Sequence, residues 1–180
     1  GNKHPDELKK WWDLGVRIIG PAWAGTRFSG GTNEPGPLTS EGYALIGKMA
    51  ELGFALDISH MDEKAALQAI DFYQGKIIAS HSNATALLPE VIGNRLLSDQ
   101  VITALFNKKG IIGVVPYNGF LNADWKKGGN RNLITLDDVV CQIDYLCQKA
   151  GNTSQVGIGS DFDGGFGLQS TPIGVNSIAD

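Results

Sequence analysis

Two histidines and an aspartate are the residues whose type and setting could do chemistry together. His60 follows the apolar run Phe-Ala-Leu-Asp-Ile-Ser, His81 follows Lys-Ile-Ile-Ala-Ser, and Asp161 follows Val-Gly-Ile-Gly-Ser. Neutral imidazole is a preferred ligand of divalent transition metals. A carboxylate beside a metal-bound water can take its proton and return it to a leaving group. Taken singly, a strand-end histidine is ordinarily just a hydrogen-bonded residue, so it is the shared context of the pair that points to a metal. Asp161 is the better placed acid-base candidate, and Asp163 reads as a brace for the loop. Arg95, beyond His81, is a candidate to hold a substrate carboxylate by paired hydrogen bonds, against the default of a surface arginine. A calcium loop is excluded, since Gly165 and Phe166 stand where an EF-hand needs Asp or Asn and then Gly. No Gly-Lys-Ser/Thr follows, so a phosphate loop fails as well.

The elements that must position these residues are legible from apolar patterning. Between the two histidines, Asp62 to Tyr73 reads as a helix with Ala66, Ile70 and Tyr73 on one face, and Ser59-x-x-Asp62 resembles a capping box. Strand, helix, strand with a right-handed crossover makes the strands parallel, which brings both histidines to the same C-terminal edge of a sheet. Ligands gather at that edge. Along the chain, strands are expected near 15, 54, 76, 111 and 156. The intervening helices are residues 5–12, one capped by Thr39 and ended by Gly53, one from Ser98 to Phe106, and one from the Thr135-x-x-Asp138 cap to Gly151. Such alternation is the signature of a parallel α/β sheet. It fits either an open doubly wound sheet or part of a (β/α)8 barrel, and the length favours an incomplete barrel. The loop from Trp23 to Leu38 suggests a site-forming connection, with Trp23 and Arg27 as candidates. The loop from Pro116 to Leu133, carrying Tyr117, Phe120 and Trp125, suits a substrate-facing lid and an ordinary connection equally.

Bulk properties remove several function classes. The 180 residues, 42% hydrophobic and 19% charged, are ordinary for a single globular domain. A net charge of -4 without a basic cluster argues against nucleic acid or an anionic membrane surface as partner. No apolar stretch approaches the roughly 20 residues that span a bilayer, and no signal-peptide pattern opens the chain. The chain reads as soluble, its localisation undetermined. Its start at Gly1, without an initiator methionine, suggests a processed or excised piece. Cys141 and Cys147 fall about 120° apart around one helix, so they should not pair and read as two buried thiols.

Four segments, Leu-Asp-Ile-Ser-His-Met, Ile-Ala-Ser-His-Ser-Asn-Ala, Arg-Leu-Leu-Ser-Asp and Val-Gly-Ile-Gly-Ser-Asp-Phe-Asp-Gly, together resemble the membrane (renal) dipeptidase family. Gly15-Val-Arg17 and Pro37 to Gly42 look like further family landmarks. The resemblance implies a zinc-dependent hydrolase on a (β/α)8 barrel that cleaves dipeptides with a hydroxide bridging two metals. In its terms His60 and His81 match the histidines of the second metal, and Asp161 the catalytic aspartate. Arg95 matches the arginine that grips the substrate's C-terminal carboxylate, with a lengthened spacing from His81.

Two departures qualify that reading. The family's His-x-Asp pair and bridging glutamate have no counterpart here, His4 being followed by Pro5 and Asp6. Trp23 also stands where many relatives carry a histidine. The expectation is therefore a single-domain, C-terminal portion of the barrel, roughly strands 4 to 8, contributing to a two-zinc site. Alone it should hold zinc weakly and hydrolyse little. A homodimer is compatible with it. Two alternatives stay open: another metal-dependent amidohydrolase acting on amides, lactones or phosphoesters, and an inactive binding module.

Overall fold

The computed structural model describes residues 7–177 and 179. His4, Pro5 and Asp6, with the start of the first expected helix, lie outside the described residues. In chain order the elements are α1 (Leu8–Asp13), β1 (Ile18–Ile19), β2 (Ser29–Gly31), β3 (Glu34–Leu38), α2 (Ser40–Leu52) and β4 (Ala55–Asp57). They continue with α3 (Glu63–Phe72), β5 (Ile77–Ala79), α4 (Asp99–Asn107), β6 (Ile111–Val114), α5 (Leu136–Ala150) and β7 (Val156–Ile158).

Five strands form one parallel sheet in the order β1-β4-β5-β6-β7. Each pairs with the next sheet strand along the chain, whereas a doubly wound sheet reverses its order at a switch point. The sequential order is that of adjacent staves of a (β/α)8 barrel, and it resolves the two architectures in favour of a partial barrel. Short apolar runs make the strands, and the central ones bury a face in the core: Leu56, Ile112 and Val114 have no exposed surface, whereas Ile111 is 46% exposed. Ile46 and Met49 of α2, Ala65 and Ala69 of α3, Ile102 and Leu105 of α4 and Leu146 of α5 close over them in one core. Among the described residues, no helix is long and apolar enough to cross a membrane.

The expected caps form at Thr39, Ser98 and Thr135, the last with its reciprocal Asp138 bond, and Gly53 and Gly151 end their helices in the left-handed conformation. One expectation fails. Ser59 does not cap α3; Asp62 does so itself, accepting from the Lys64 amide at 3.1 Å. Ser59 sits three residues before the cap and serves the adjoining strand, accepting from the His81 amide. The thiols also differ from expectation: Cys141 is exposed and Cys147 half-buried, both free, because the buried stripe of α5 runs through Val139, Gln142 and Leu146.

The antiparallel β2–β3 hairpin is an addition to the sequence reading. Gly30, Gly31, Pro35 and Pro37 are residues that strands disfavour, so its composition hides it. It docks on α3, where the Leu38 amide donates to Gln68 Oε1 at 2.9 Å.

Asp99, the first residue of α4, ties that helix to α5 by accepting from the Tyr145 hydroxyl at 2.6 Å and pairing with Lys149. Those two partners, Lys149 foremost, hold its carboxyl below the ordinary carboxylate value. A depressed folded-state pKa stabilises above the unfolded value and loses that stabilisation as pH falls through the folded one. Asp99→Asn should therefore flatten the acid limb of the pH–stability curve below about pH 4, measured by denaturant titration from pH 2 to 7. An unchanged limb would remove the pair from the stability account.

Candidate active site

His60 and His81 leave the C-terminal ends of β4 and β5, neighbouring parallel strands, and their rings meet with Nε2 to Nε2 2.9 Å apart. His60 adopts a left-handed backbone, φ 68°, as does Asp161, φ 50°. Left-handed non-glycine residues are uncommon, and such strain clusters at functional sites. Asp161 Oδ2 stands 4.0 Å from His81 Nε2. The three residues that the strand ends were expected to converge do so.

Arg95 arrives by a longer route. The segment after His81 leaves the sheet and returns, closed where Thr85 donates to the Leu97 carbonyl and Leu97 to that of Asn83, both at 2.9 Å. The return places Arg95 against the strand end, donating to the His81 carbonyl at 2.7 Å and Ser82 Oγ at 3.0 Å. Asn94 fastens the same return to the hairpin and to α3, bonding Gly31, Asn33 and Asp62. His60, Arg95 and Asp161 line a cleft of roughly 410 Å³ together with Trp23, Tyr117 and Phe120, among others.

Trp23 is brought to the site, stacked on the His60 ring with centroids 5.4 Å apart, though 70% exposed. Arg27 is not: it pairs with Glu41 at 3.3 Å and lies over Phe28. Arg17 of the Gly15-Val-Arg17 segment is likewise structural, donating to the carbonyls of Trp12 and Val16. Asp163 is exposed. Of the long 116–133 connection, Tyr117 and Phe120 face the cleft, while Trp125 is buried behind Tyr117 as a support.

Sequence reasoning passed over three residues that hold the histidines. Thr32, at the hairpin turn, lies 3.0 Å from His60 Nδ1 through its hydroxyl. Ser80 Oγ lies 2.7 Å from His81 Nδ1 and donates to Asp57 Oδ2 at 2.5 Å. Asp57 Oδ1 also accepts the amides of Ser59 and Ser80, both at 3.0 Å. A charge inside the apolar run Phe-Ala-Leu-Asp-Ile was the available signal for Asp57. Space at this point is tight: a Cβ on Gly113 or Gly159 would run into the Ser80 carbonyl oxygen. The two glycines let β6 and β7 approach the strand end that carries His81.

Burial and the nearby Arg95 charge lower both imidazole pKa values, that of His60 to about 3. Both rings are therefore neutral at neutral pH, as metal ligation requires. Burial also lowers Arg95, to about 10, leaving it cationic. Two neutral imidazoles turning Nε2 atoms toward one point, with both Nδ1 atoms occupied by hydroxyls, fit a divalent metal. The set is incomplete by itself: among the described residues no group of three or more His, Cys, Asp or Glu converges as a ligand cluster.

Comparison with known proteins agrees with this geometry. Residues 2–177 match the family model for membrane dipeptidase, peptidase family M19. An uncharacterized protein in the pqqA 5' region of Klebsiella pneumoniae is 38% identical over 167 residues, covering 88% of this chain and 59% of that protein. A metallo peptidase from Rhodobacter sphaeroides, liganded with a phosphinate mimic of the dipeptide L-Ala-D-Ala, superposes with a TM-score of 0.82 at 29% identity. That superposition covers 96% of this chain and 48% of the other. The dipeptidase AC, a metallo peptidase of family M19, superposes at 0.81 with 30% identity, covering 94% and 50%. This chain thus spans about half to three fifths of the length of these relatives. With the strand order, the paired histidines and a family model matched along nearly the whole chain, the chain belongs to the membrane dipeptidase family, peptidase family M19.

Proposed function

We propose that this chain supplies part of the active site of a zinc-dependent dipeptidase, with His60 and His81 as ligands of one metal, Asp161 as the proton carrier and Arg95 as the anchor for the substrate's C-terminal carboxylate. The observation that carries the proposal is the meeting of two neutral imidazole Nε2 atoms 2.9 Å apart at a cleft lined by His60, Asp161 and Arg95. Zinc is the metal of choice because imidazole suits it and hydrolysis needs no redox change. When bound, it supplies a Lewis acid and a water acidic enough to attack near neutral pH.

The chain's own residues have these tasks. Asp161 accepts a proton from the attacking water as the new C–O bond forms, then delivers it to the departing amine nitrogen as the C–N bond breaks. Arg95 commits two hydrogen bonds to the backbone and side chain beside His81, and its guanidinium retains N–H donors for a carboxylate. That geometry measures the substrate from its C-terminal end. Tyr117, Phe120 and Trp23 give the cleft apolar walls.

The remaining ligands and staves come from outside this set of residues. β1 and β7 are the two edges of the sheet, with Ile18 51% and Ile158 58% exposed, whereas a closed barrel has no edges. In the full-length protein, a panel of L-D and L-L dipeptides, N-acyl amino acids and lactones tests the substrate class. Preferred cleavage of dipeptides supports the reading; turnover confined to lactones or N-acyl amino acids would replace it with another amidohydrolase chemistry.

Arg95→Ala should raise KM for dipeptides by at least tenfold, the loss of about 1.4 kcal/mol or more of carboxylate binding, with a smaller change in kcat. Steady-state kinetics on the purified variant checks this, and an unchanged KM would remove Arg95 from the substrate site.

A further inference from the structure

We infer that Asp57, acting through Ser80, is a positioning residue that fixes His81 in the Nδ1–H form and so keeps its Nε2 lone pair turned toward the metal position. The inference rests on the metal-binding reading of the two histidines, but the hydrogen bonds that carry it are independent of any metal. Asp57 accepts three of them, from the amides of Ser59 and Ser80 at 3.0 Å and from the Ser80 hydroxyl at 2.5 Å. A hydroxyl has one proton to give. Having given it to Asp57, Ser80 Oγ can only accept from His81 Nδ1 at 2.7 Å, so Nδ1 carries the ring proton.

The consequence runs across the pair. His81 Nε2, left with a lone pair, accepts the Nε2 proton of His60 at 2.9 Å. His60 Nδ1 then accepts from the Thr32 hydroxyl at 3.0 Å. Thr32, His60, His81, Ser80 and Asp57 thus form one chain in which every proton points toward the carboxylate. Its two ends differ. Thr32 has a second acceptor for its proton, the His60 carbonyl at 3.4 Å, and can turn to accept from His60 Nδ1. That turn frees the His60 Nε2 lone pair for a metal. Ser80 has a second hydroxyl in reach, Ser59 Oγ at 3.3 Å, but its bond to Asp57 at 2.5 Å is much the shorter and holds its proton on the carboxylate.

Asp57→Asn should reverse the chain. The carbonyl oxygen of the substituted side chain can keep the two backbone bonds, its amide then donates to Ser80, and the Ser80 proton turns onto His81 Nδ1 at 2.7 Å, a nearer acceptor than Ser59 Oγ at 3.3 Å. His81 becomes the Nε2–H form, with no lone pair on the metal side. The test uses full-length metal-free protein, with imidazole nitrogen NMR to assign tautomers and zinc titration against a competing chelator to measure affinity. Wild type should show Nδ1–H at His81 and Nε2–H at His60. Asp57→Asn should show the opposite assignment at His81 and bind zinc about 10–100-fold more weakly, the usual effect of losing a partner behind a ligand. Ser80→Thr keeps the hydroxyl and should keep both properties. If Asp57→Asn does not fold, Ser80→Ala carries the test, since it removes the acceptor and should leave His81 as a mixture of tautomers. A folded variant with His81 still Nδ1–H and zinc binding within twofold of wild type overturns the inference. Should wild type bind zinc no better than a His60→Ala/His81→Ala double variant while the tautomer still switches, the metal reading fails and the role of Asp57 stands.

Discussion

Asp161→Asn in the full-length protein should keep its metal and lose kcat by about 10²–10⁴-fold, the range expected for removing a general acid-base group. The substitution is unusually clean at this position. Asp161 holds a left-handed backbone, φ 50°, and asparagine tolerates that conformation as well as aspartate does. Shape and backbone are therefore kept while the carboxylate proposed to accept and return the proton is lost. Oδ2 lies 4.0 Å from His81 Nε2, close enough to a metal position to meet a water there. Metal content by elemental analysis, together with steady-state rates, separates the two roles. Metal loss in parallel with the rate would make Asp161 a ligand instead.

The complementary result concerns the histidines. His60→Ala or His81→Ala should each lower metal affinity by more than the ~100-fold that marks the loss of a residue merely supporting a ligand, and activity should fall with metal occupancy. Either substitution removes one of two converging Nε2 atoms, and among the described residues a pair that close has no third imidazole to take its place. The same protein with its core intact should remain folded, because both rings lie at the sheet's C-terminal edge and outside the apolar core of Leu56, Ile58 and Ile112. Circular dichroism checks folding and chelator competition checks affinity. Equal metal loss for His60→Ala, His81→Ala and Asp161→Asn would undo the division of labour between ligands and proton carrier.

How much of this the amino-acid sequence carried depends on the range of the interaction concerned. The parallel strands were legible as short apolar runs alternating with helical patterns, and α2, α4 and α5 because Thr39, Ser98 and Thr135 sit where helix caps must. Convergence of His60, His81 and Asp161 followed from parallel strand ends alone. The β2–β3 hairpin was hidden by its glycines and prolines, and with it Thr32, which reaches His60 from 28 positions away. Arg95 was legible as a candidate, but its return to His81 depends on the closure between Ala84 and Leu97, which no local pattern announces. Ser59 showed the opposite failure: a hydroxyl at helix-cap spacing was claimed by the neighbouring strand, where its oxygen accepts the His81 amide at 3.1 Å. Polar residues beside a site have several backbone groups within reach at once, and only the assembled strands decide among them.

The most direct measurement is a crystal structure of the full-length protein with zinc, located by anomalous diffraction at the metal edge. A zinc ion within about 2.0–2.1 Å of both His60 Nε2 and His81 Nε2, with Asp161 facing it, is the predicted result. Zinc bound elsewhere, with the two imidazoles still hydrogen-bonded to each other, would contradict the account.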